Sequence, residues 1–366
     1  MRIGIECFKD IEIRSIIESQ GRIGKCEITG KEKQYIYDTE ESEELAPIFS
    51  EVLDVYTSNS ELPKNFPESL KDKIEIILER DWSIFNIHAN EIKRVIMAIC
   101  KTMYNEDSLI FKEVVGIENM CDSGYFERKC IMKHNDWESF VASIKNKNRF
   151  HSNHINLKLL EELFQSEKMQ VLLKKGGISL YRARISEEKP LDKQQMGPPP
   201  LEYVTAGRAN SKGIRCLYLA SDVETTFHEL RARDLDYISI GTFTVKKDVK
   251  LVDLSNLDKI SPFSDETFEC DWFAINMPIL KKISYEIAKP LRRQDSELDY
   301  LPTQYIADFV KSLGFDGICY RSTLNPSGVN YAIFEYKKFE CEGVTLYHVK
   351  SLKYNTEPPI RKLDSK

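Results

Sequence analysis

Between Gly207 and Arg231 the chain reads GRANSKGIRCLYLASDVETTFHELR, and three residue types in it can do chemistry together. Arg208 offers a cation, Tyr218 a phenol and Glu229 a carboxylate. A cleft holding all three suits a ligand that carries phosphates, a flat ring and a sugar. A guanidinium grips phosphate oxygens in pairs, an aromatic ring packs on a flat one, and a carboxylate stabilises positive charge developing on a sugar. Arg182 and Arg184 upstream, Arg215 within the stretch, and Arg321, Ser322 and Asn330 downstream can join them. Each residue also has an ordinary explanation. Arg182 reads as a strand-edge charge, Tyr218 as a core aromatic with a wet hydroxyl, Glu229 as a solvated helix residue, and Ser322 as a turn residue. Singly those explanations win, so any argument for a site rests on the set.

The local pattern places the three on successive elements. GRAN-x-x-G is turn-rich, and Cys216–Ala220 is a short apolar run that reads as a strand. Ser221 with Glu224 three residues later is a capping-box pattern, so a helix is expected from Asp222. Val223, Phe227 and Leu230 share one face of that helix, and Glu229 lies off it. Around this stretch the chain alternates between both kinds of element. Residues 178–185, 237–245, 250–254, 317–320, 329–335 and 344–349 read as strands, and 272–287 and 303–313 as helices. The expectation is an α+β domain over 156–366.

Residues 1–155 have a different texture. Apolar stripes at helical spacing run through Leu45–Tyr56, Leu70–Ile77, Ile92–Ile99 and Trp137–Ile144, with Pro67 placed to open the second. A short helix is expected over 10–20, and another over 157–174 ending at Gly176-Gly177. Cys7 and Cys26 have no second cysteine three residues away, as a zinc knuckle requires; two buried thiols are the better reading, and no metal is expected.

Bulk properties exclude several classes. At 366 residues two domains are expected. A net charge of −6 argues against general nucleic-acid binding, which needs clustered Lys and Arg. No apolar run reaches membrane-spanning length, and the opening MRIGIECFKDIEIR has no apolar signal-peptide core. Nine cysteines without close pairs read as reduced thiols, so a cytoplasmic location is expected. No Gly-x-Gly-x-x-Gly, Walker loop, His-Glu-x-x-His or Gly-x-Ser-x-Gly occurs. His228 beside Glu229 reads as a surface histidine, because adjacent helical residues point apart.

Taken jointly, YRAR at 181–184, GRAN-x-x-G at 207–213, LYLA at 217–220, Glu229, YLPTQ at 300–304, GICYRS at 317–322 and NYAIF at 330–334 resemble the RES domain. The resemblance implies a fold similar to ADP-ribosyltransferases, following a helical N-terminal domain. It also implies a toxin or defence effector (antiphage defence among the roles) that consumes NAD as its substrate. Hydrolysis of the nicotinamide–ribose bond is the first reading, protein ADP-ribosylation the second, and an inactive NAD-binding or interaction module the third. By motif, the family's functional residues fall on Arg182, Arg208, Tyr218, Glu229 and Ser322, with Asn330 in the late block. Arg321 stands where many members have proline. An antitoxin or immunity protein and a second copy of the chain are the partners implied. Residues 1–155 resemble the HEPN/RES N-terminal domain. Its members often open on paired cysteines, of which only Cys7 and Cys26 stand here, so no zinc is carried over. Arg149 and His154 have the Arg-x4-His spacing of some HEPN nucleases, and chance explains that better.

Overall fold

The structure, a computed structural model, describes residues 1–133, 136–264, 268–289 and 296–352. The chain divides into two compact units, Met1–Met169 with Ser255–Ile287 and Gln170–Leu254 with Ala288–Lys366. The sequence boundary near residue 155 keeps everything after it together, whereas the contacts return 255–287 to the first unit. The helix Cys270–Ala288 shows why. Trp272, Phe273, Ile275, Met277, Leu280 and Ile283 are all buried, and a helix apolar on most faces must be surrounded. Within that unit the Asn276 side chain accepts the Ile131 N–H at 2.7 Å and donates to the Lys129 carbonyl at 2.8 Å. A fragment covering 157–366 is therefore expected to misfold, although the sequence reads 156–366 as one α+β domain. Each exposed large apolar side chain costs about 1.5–3 kcal/mol, and several exceed the roughly 5–15 kcal/mol that stabilise a domain. A fragment that is monomeric by gel filtration and melts cooperatively would overturn this.

The first unit carries helices Leu45–Leu53, Ile74–Arg80, Ala89–Ile99 and Trp137–Asn146 where the apolar stripes lie. Pro67 opens only a short 3-10 turn, Glu68–Leu70, because it sits extended at the cap rather than inside a helix. The N-terminal segment is more regular than its sequence suggests. Gln34–Asp38 pairs antiparallel with both Arg2–Gly4 and Ile23–Gly24. Helix Ile11–Ser19 starts where Asp10 Oδ1 accepts the Glu12 and Ile13 N–H groups at 2.9 and 3.1 Å. Cys7 and Cys26 are buried with their Sγ atoms 3.7 Å apart, and burial pushes the Cys7 thiol far up. Glu6 joins them in a three-donor group. Gly4, Asp10, Ile23 and Thr29 occupy the positions where a knuckle would carry further thiols. The set does not fit a four-thiolate zinc site.

The second unit is organised on one mixed sheet. Its strands are β1 (Gln170–Leu173), β2 (Ser179–Ser186), β3 (Leu217–Ala220), β4 (Tyr237–Val245), β5 (Val249–Asp253), β6 (Gly317–Arg321), β7 (Val329–Ile333) and β8 (Phe339–His348). Their spatial order is β8-β4-β2-β3-β7-β6-β5-β1. Neighbours run antiparallel except β5 and β6. Helices α1 (Val223–Leu230) and α2 (Leu301–Ser312) complete the part that matters for function. The fold is α+β, as the sequence implies. One expected helix is cut short. Instead of continuing to residue 174 it stops at Gln165, and β1 then pairs with β5 over four residues. Ladder hydrogen bonds to a distant strand outweigh the local helical pattern there.

The sheet has one weak seam. β2 pairs with β4 along eight positions but meets β3 at a single pair, Tyr181 with Ala220. Strands that splay after one pair leave their facing edges apart, and side chains fill or line the gap. Leu180 and Arg182 share a face of β2 by the two-residue period. Leu180 belongs to the core cluster with Leu217, Leu219 and Phe243. That parity carries the Arg182 guanidinium toward the interior.

Candidate functional site

A cavity of about 320 Å³ opens at this seam, within the range of small-molecule sites. Arg182 lines it from β2, Arg208 from the turn before β3, Tyr218 from β3, Glu229 from α1 and Asn330 from β7. Tyr181, Tyr300 and Tyr320 add aromatic surface. The structure thus brings together five of the six site residues expected from sequence. Ser322, the sixth, does not line the cavity.

Glu229 is placed by the last turn of α1. That helix begins at Val223, one residue later than expected, with Asp222 as the cap. The Asp222 Oδ1 accepts the Thr225 N–H at 2.8 Å, and Ser221 donates to Asp222 Oδ2 instead of capping. Burial works against the Asp222 charge, but these hydrogen bonds hold its carboxyl below the usual range. Val223, Phe227 and Leu230 pack on Ile238 and Ile240, and Arg231 ends the helix in the left-handed region at φ 52°. Glu229 then projects from an otherwise exposed position toward the cavity. Its Oε1 accepts the Ser322 hydroxyl at 2.7 Å and the Asn330 Nδ2 at 2.8 Å. Ser322 and Asn330 are buried, and Ser322 Oγ also accepts the Leu324 and Asn325 N–H groups. The carboxylate is fixed in direction while its second oxygen stays available. His228, as expected, lies on the surface near Glu224.

The two arginines differ. Arg208 holds its guanidinium 5.3 Å from the Tyr320 ring centroid, a cation–π contact worth about 0.5–2 kcal/mol. Arg182 donates from Nη1 to the Tyr218 carbonyl at 3.4 Å, and its buried Nε has no hydrogen-bond partner. Among the described residues no carboxylate pairs with it. Burial, and then Arg184 beside it, lowers the Arg182 pKa to about 10. It remains a cation at neutral pH, with donors unused. Such donors can serve an anion. Arg184 instead donates to the Gln195 carbonyl, and Arg215 packs over Tyr336.

Tyr218 has a second duty. Its hydroxyl donates to Asn210 Oδ1 at 2.7 Å and accepts the Ala209 N–H at 2.9 Å. Burial, followed by Cys216 and Tyr320 nearby, keeps the phenol neutral by raising its pKa well above 10. The ring faces the cavity while the hydroxyl ties down the turn that carries Arg208. A Cβ on Gly207 would lie 2.5 Å from Asn210 Oδ1 and 2.7 Å from the Tyr218 hydroxyl. Only glycine fits there.

Residues 179–355 match the RES domain. The match covers just under half of the chain and spans every cavity residue named above. One solved structure with a similar chain is the M. tuberculosis MbcT–MbcA toxin–antitoxin complex, at 12% identity and a TM-score of 0.28. It covers 50% of this chain and 88% of that one. A likeness so distant carries no argument about activity. No curated protein matches the chain. Within the RES segment the sequence assigns Ser322 to the ligand, and in the structure its hydroxyl donates to Glu229. The sequence reading misses Tyr181, Tyr300, Tyr320, Asn210 and Gln304. The YLPTQ block that contains Tyr300 and Gln304 was the available signal.

Proposed function

We propose that the RES domain binds NAD in this cleft and hydrolyses its nicotinamide–ribose bond, as part of an NAD-consuming toxin or defence effector. The observation that carries the proposal is an Arg182 guanidinium with no carboxylate partner among the described residues and a buried Nε without a hydrogen bond, lining the same cavity as a carboxylate, Glu229, whose direction is fixed. Such a pair suits a substrate with an anionic diphosphate and a sugar that becomes cationic. Arg182 and Arg208 grip the diphosphate, and the tyrosine walls pack the ring and ribose. As the C1′–N1 bond breaks, its electron pair leaves with nicotinamide, which departs neutral. The ribose becomes oxocarbenium-like, and Glu229 stabilises that charge. Water then adds at C1′ and loses a proton, giving ADP-ribose. Tyr218 stays protonated throughout, which suits packing and positioning rather than proton transfer.

Protein ADP-ribosylation uses the same cleft with an acceptor side chain in place of water. The set Arg182, Arg208 and Glu229 counts against an inactive module. An antitoxin or immunity protein and a second copy of the chain remain the proposed partners. Among the described residues no helix is long and apolar enough to cross a membrane; cytoplasmic location is part of the proposal. Incubating the full chain with NAD and resolving the products is the test. Free ADP-ribose with nicotinamide supports hydrolysis, label on protein supports transfer, and unchanged NAD overturns both.

Arg208→Lys keeps a positive charge but loses the planar fork. NAD affinity is expected to fall about tenfold, since charge-assisted hydrogen bonds contribute roughly 1.5–3 kcal/mol. Calorimetric titration checks it. An unchanged Kd would place the diphosphate away from Arg208.

A further inference from the structure

We infer that Gln304 is a positioning residue: from the first turn of α2 it locks the Gly207–Asn210 turn and so presets the Arg208 guanidinium for substrate. The inference rests on the reading of this cleft as an NAD site. Arg208 sits on a turn, so no strand ladder fixes its backbone. The Gly207 N–H closes the turn on the Asn210 carbonyl at 2.9 Å, and Gln304 ties that closed turn to α2. It is buried, and its Nε2 donates to the Gly207 carbonyl at 2.8 Å and the Asn210 carbonyl at 2.9 Å. Those carbonyls flank Arg208 and Ala209 on both sides. The neighbouring Thr303 hydroxyl meets the Arg208 carbonyl at 2.8 Å. From the other direction the Tyr218 hydroxyl accepts the Ala209 N–H. The backbone groups of the turn are thus held from two elements at once.

The chemistry calls for glutamine. Two carbonyl oxygens need two donors from one short-range source, and a primary carboxamide supplies both hydrogens on one nitrogen. This also settles the carboxamide orientation, because its oxygen would face two acceptors if reversed. Gln304 Oε1 instead accepts the Ser211 hydroxyl at 3.4 Å. A glutamate of the same size would repel the two carbonyls, and an asparagine is one methylene short. Tyr300 lines the cavity on this side and Gln304 does not, so Gln304 touches no ligand itself. Any effect on binding must travel through the turn.

The test is a double-mutant cycle on the full chain, read as calorimetric NAD affinity. Gln304→Met keeps the volume and removes both donors. In the chain with Arg208 it is expected to weaken NAD binding about tenfold, the equivalent of one or two uncompensated hydrogen bonds. In an Arg208→Ala background the same change is expected to cost less than about twofold, because the residue through which it acts is gone. A merely structural role predicts the same loss in both backgrounds, and that additivity would overturn the inference. Should Gln304→Met fail to fold, Thr303→Val removes only a hydroxyl from the same clamp and is expected to show the same dependence on Arg208. A wild-type chain that binds NAD but gives additive losses refutes the positioning role alone. A wild-type chain that binds neither NAD nor inorganic pyrophosphate refutes the NAD reading, and the preset cation with it.

Discussion

Glu229→Gln is expected to leave NAD affinity near wild type while nicotinamide release falls about a hundredfold to a thousandfold, the usual cost of losing a preorganised charge. The separation follows from how the carboxylate is held. Ser322 and Asn330 both donate to Oε1, and a glutamine carbonyl oxygen accepts the same two hydrogens. Position and volume survive. What changes is the second oxygen, replaced by an uncharged NH2 where the sugar would lie. The ground-state ribose is neutral and loses little, whereas the oxocarbenium-like state loses its counter-charge. Calorimetry for binding and a nicotinamide-release assay for rate, on folded variant and wild type, separate the two. A variant that turns over at the wild-type rate would sink the mechanism. If Glu229 were only a solvated helix residue, neither quantity would move, since surface changes rarely exceed about 0.5 kcal/mol.

How much of this could be read beforehand depends on the range of the interactions involved. The helix carrying Glu229, the LYLA strand and the GRAN turn all formed where the sequence placed them, because caps, turns and periodicity act over a few residues. Even there the cap shifted by one. Asp222 and Ser221 are both good caps, and Ser221 was diverted to the Val329 N–H of a distant strand. The errors grow with sequence separation. Residues 170–173 look helical until β5, far along the chain, offers a ladder. The helix Cys270–Ala288 looks like part of the second domain until its all-round apolar surface requires the first unit's core. The six candidate site residues stand out in the sequence as types, but the contacts each makes do not. Nothing in GICYRS says that Ser322 serves Glu229 rather than a ligand, and nothing in YRAR says that Arg182 Nε would be buried without a partner. The second comes from strand parity on β2 and from the splay of β2 and β3.

That orphaned nitrogen yields a result of opposite sign in two assays. Arg182→Met is expected to stabilise the ligand-free protein while weakening NAD binding about a hundredfold or more. Methionine fills similar space without charge, so the cost of burying an unpaired cation disappears. The direction with pH can be worked out. Burial lowers the folded-state pKa to about 10, below that of a free guanidinium. Below about pH 10 the group is charged in both states, so the folded chain carries the full burial penalty. As pH rises from there toward the range of a free guanidinium the folded state sheds its proton first, and stability contributed by the group increases. At neutral pH, removal of the cation therefore helps folding. Each kcal/mol recovered raises the melting temperature by roughly 2–4 °C in a domain of this size. Binding moves the other way, because a bidentate grip on the diphosphate is two charge-assisted hydrogen bonds of about 1.5–3 kcal/mol each. Arg184→Met is the control. Its guanidinium donates to the Gln195 carbonyl away from the cavity, so its removal relieves only the like charge beside Arg182, and a small rise in melting temperature without the loss of NAD binding is expected. Thermal melts without ligand and NAD titrations of the three proteins decide it. An Arg182→Met protein that melts lower and still binds NAD would show that the cation is structural and that the diphosphate lies elsewhere.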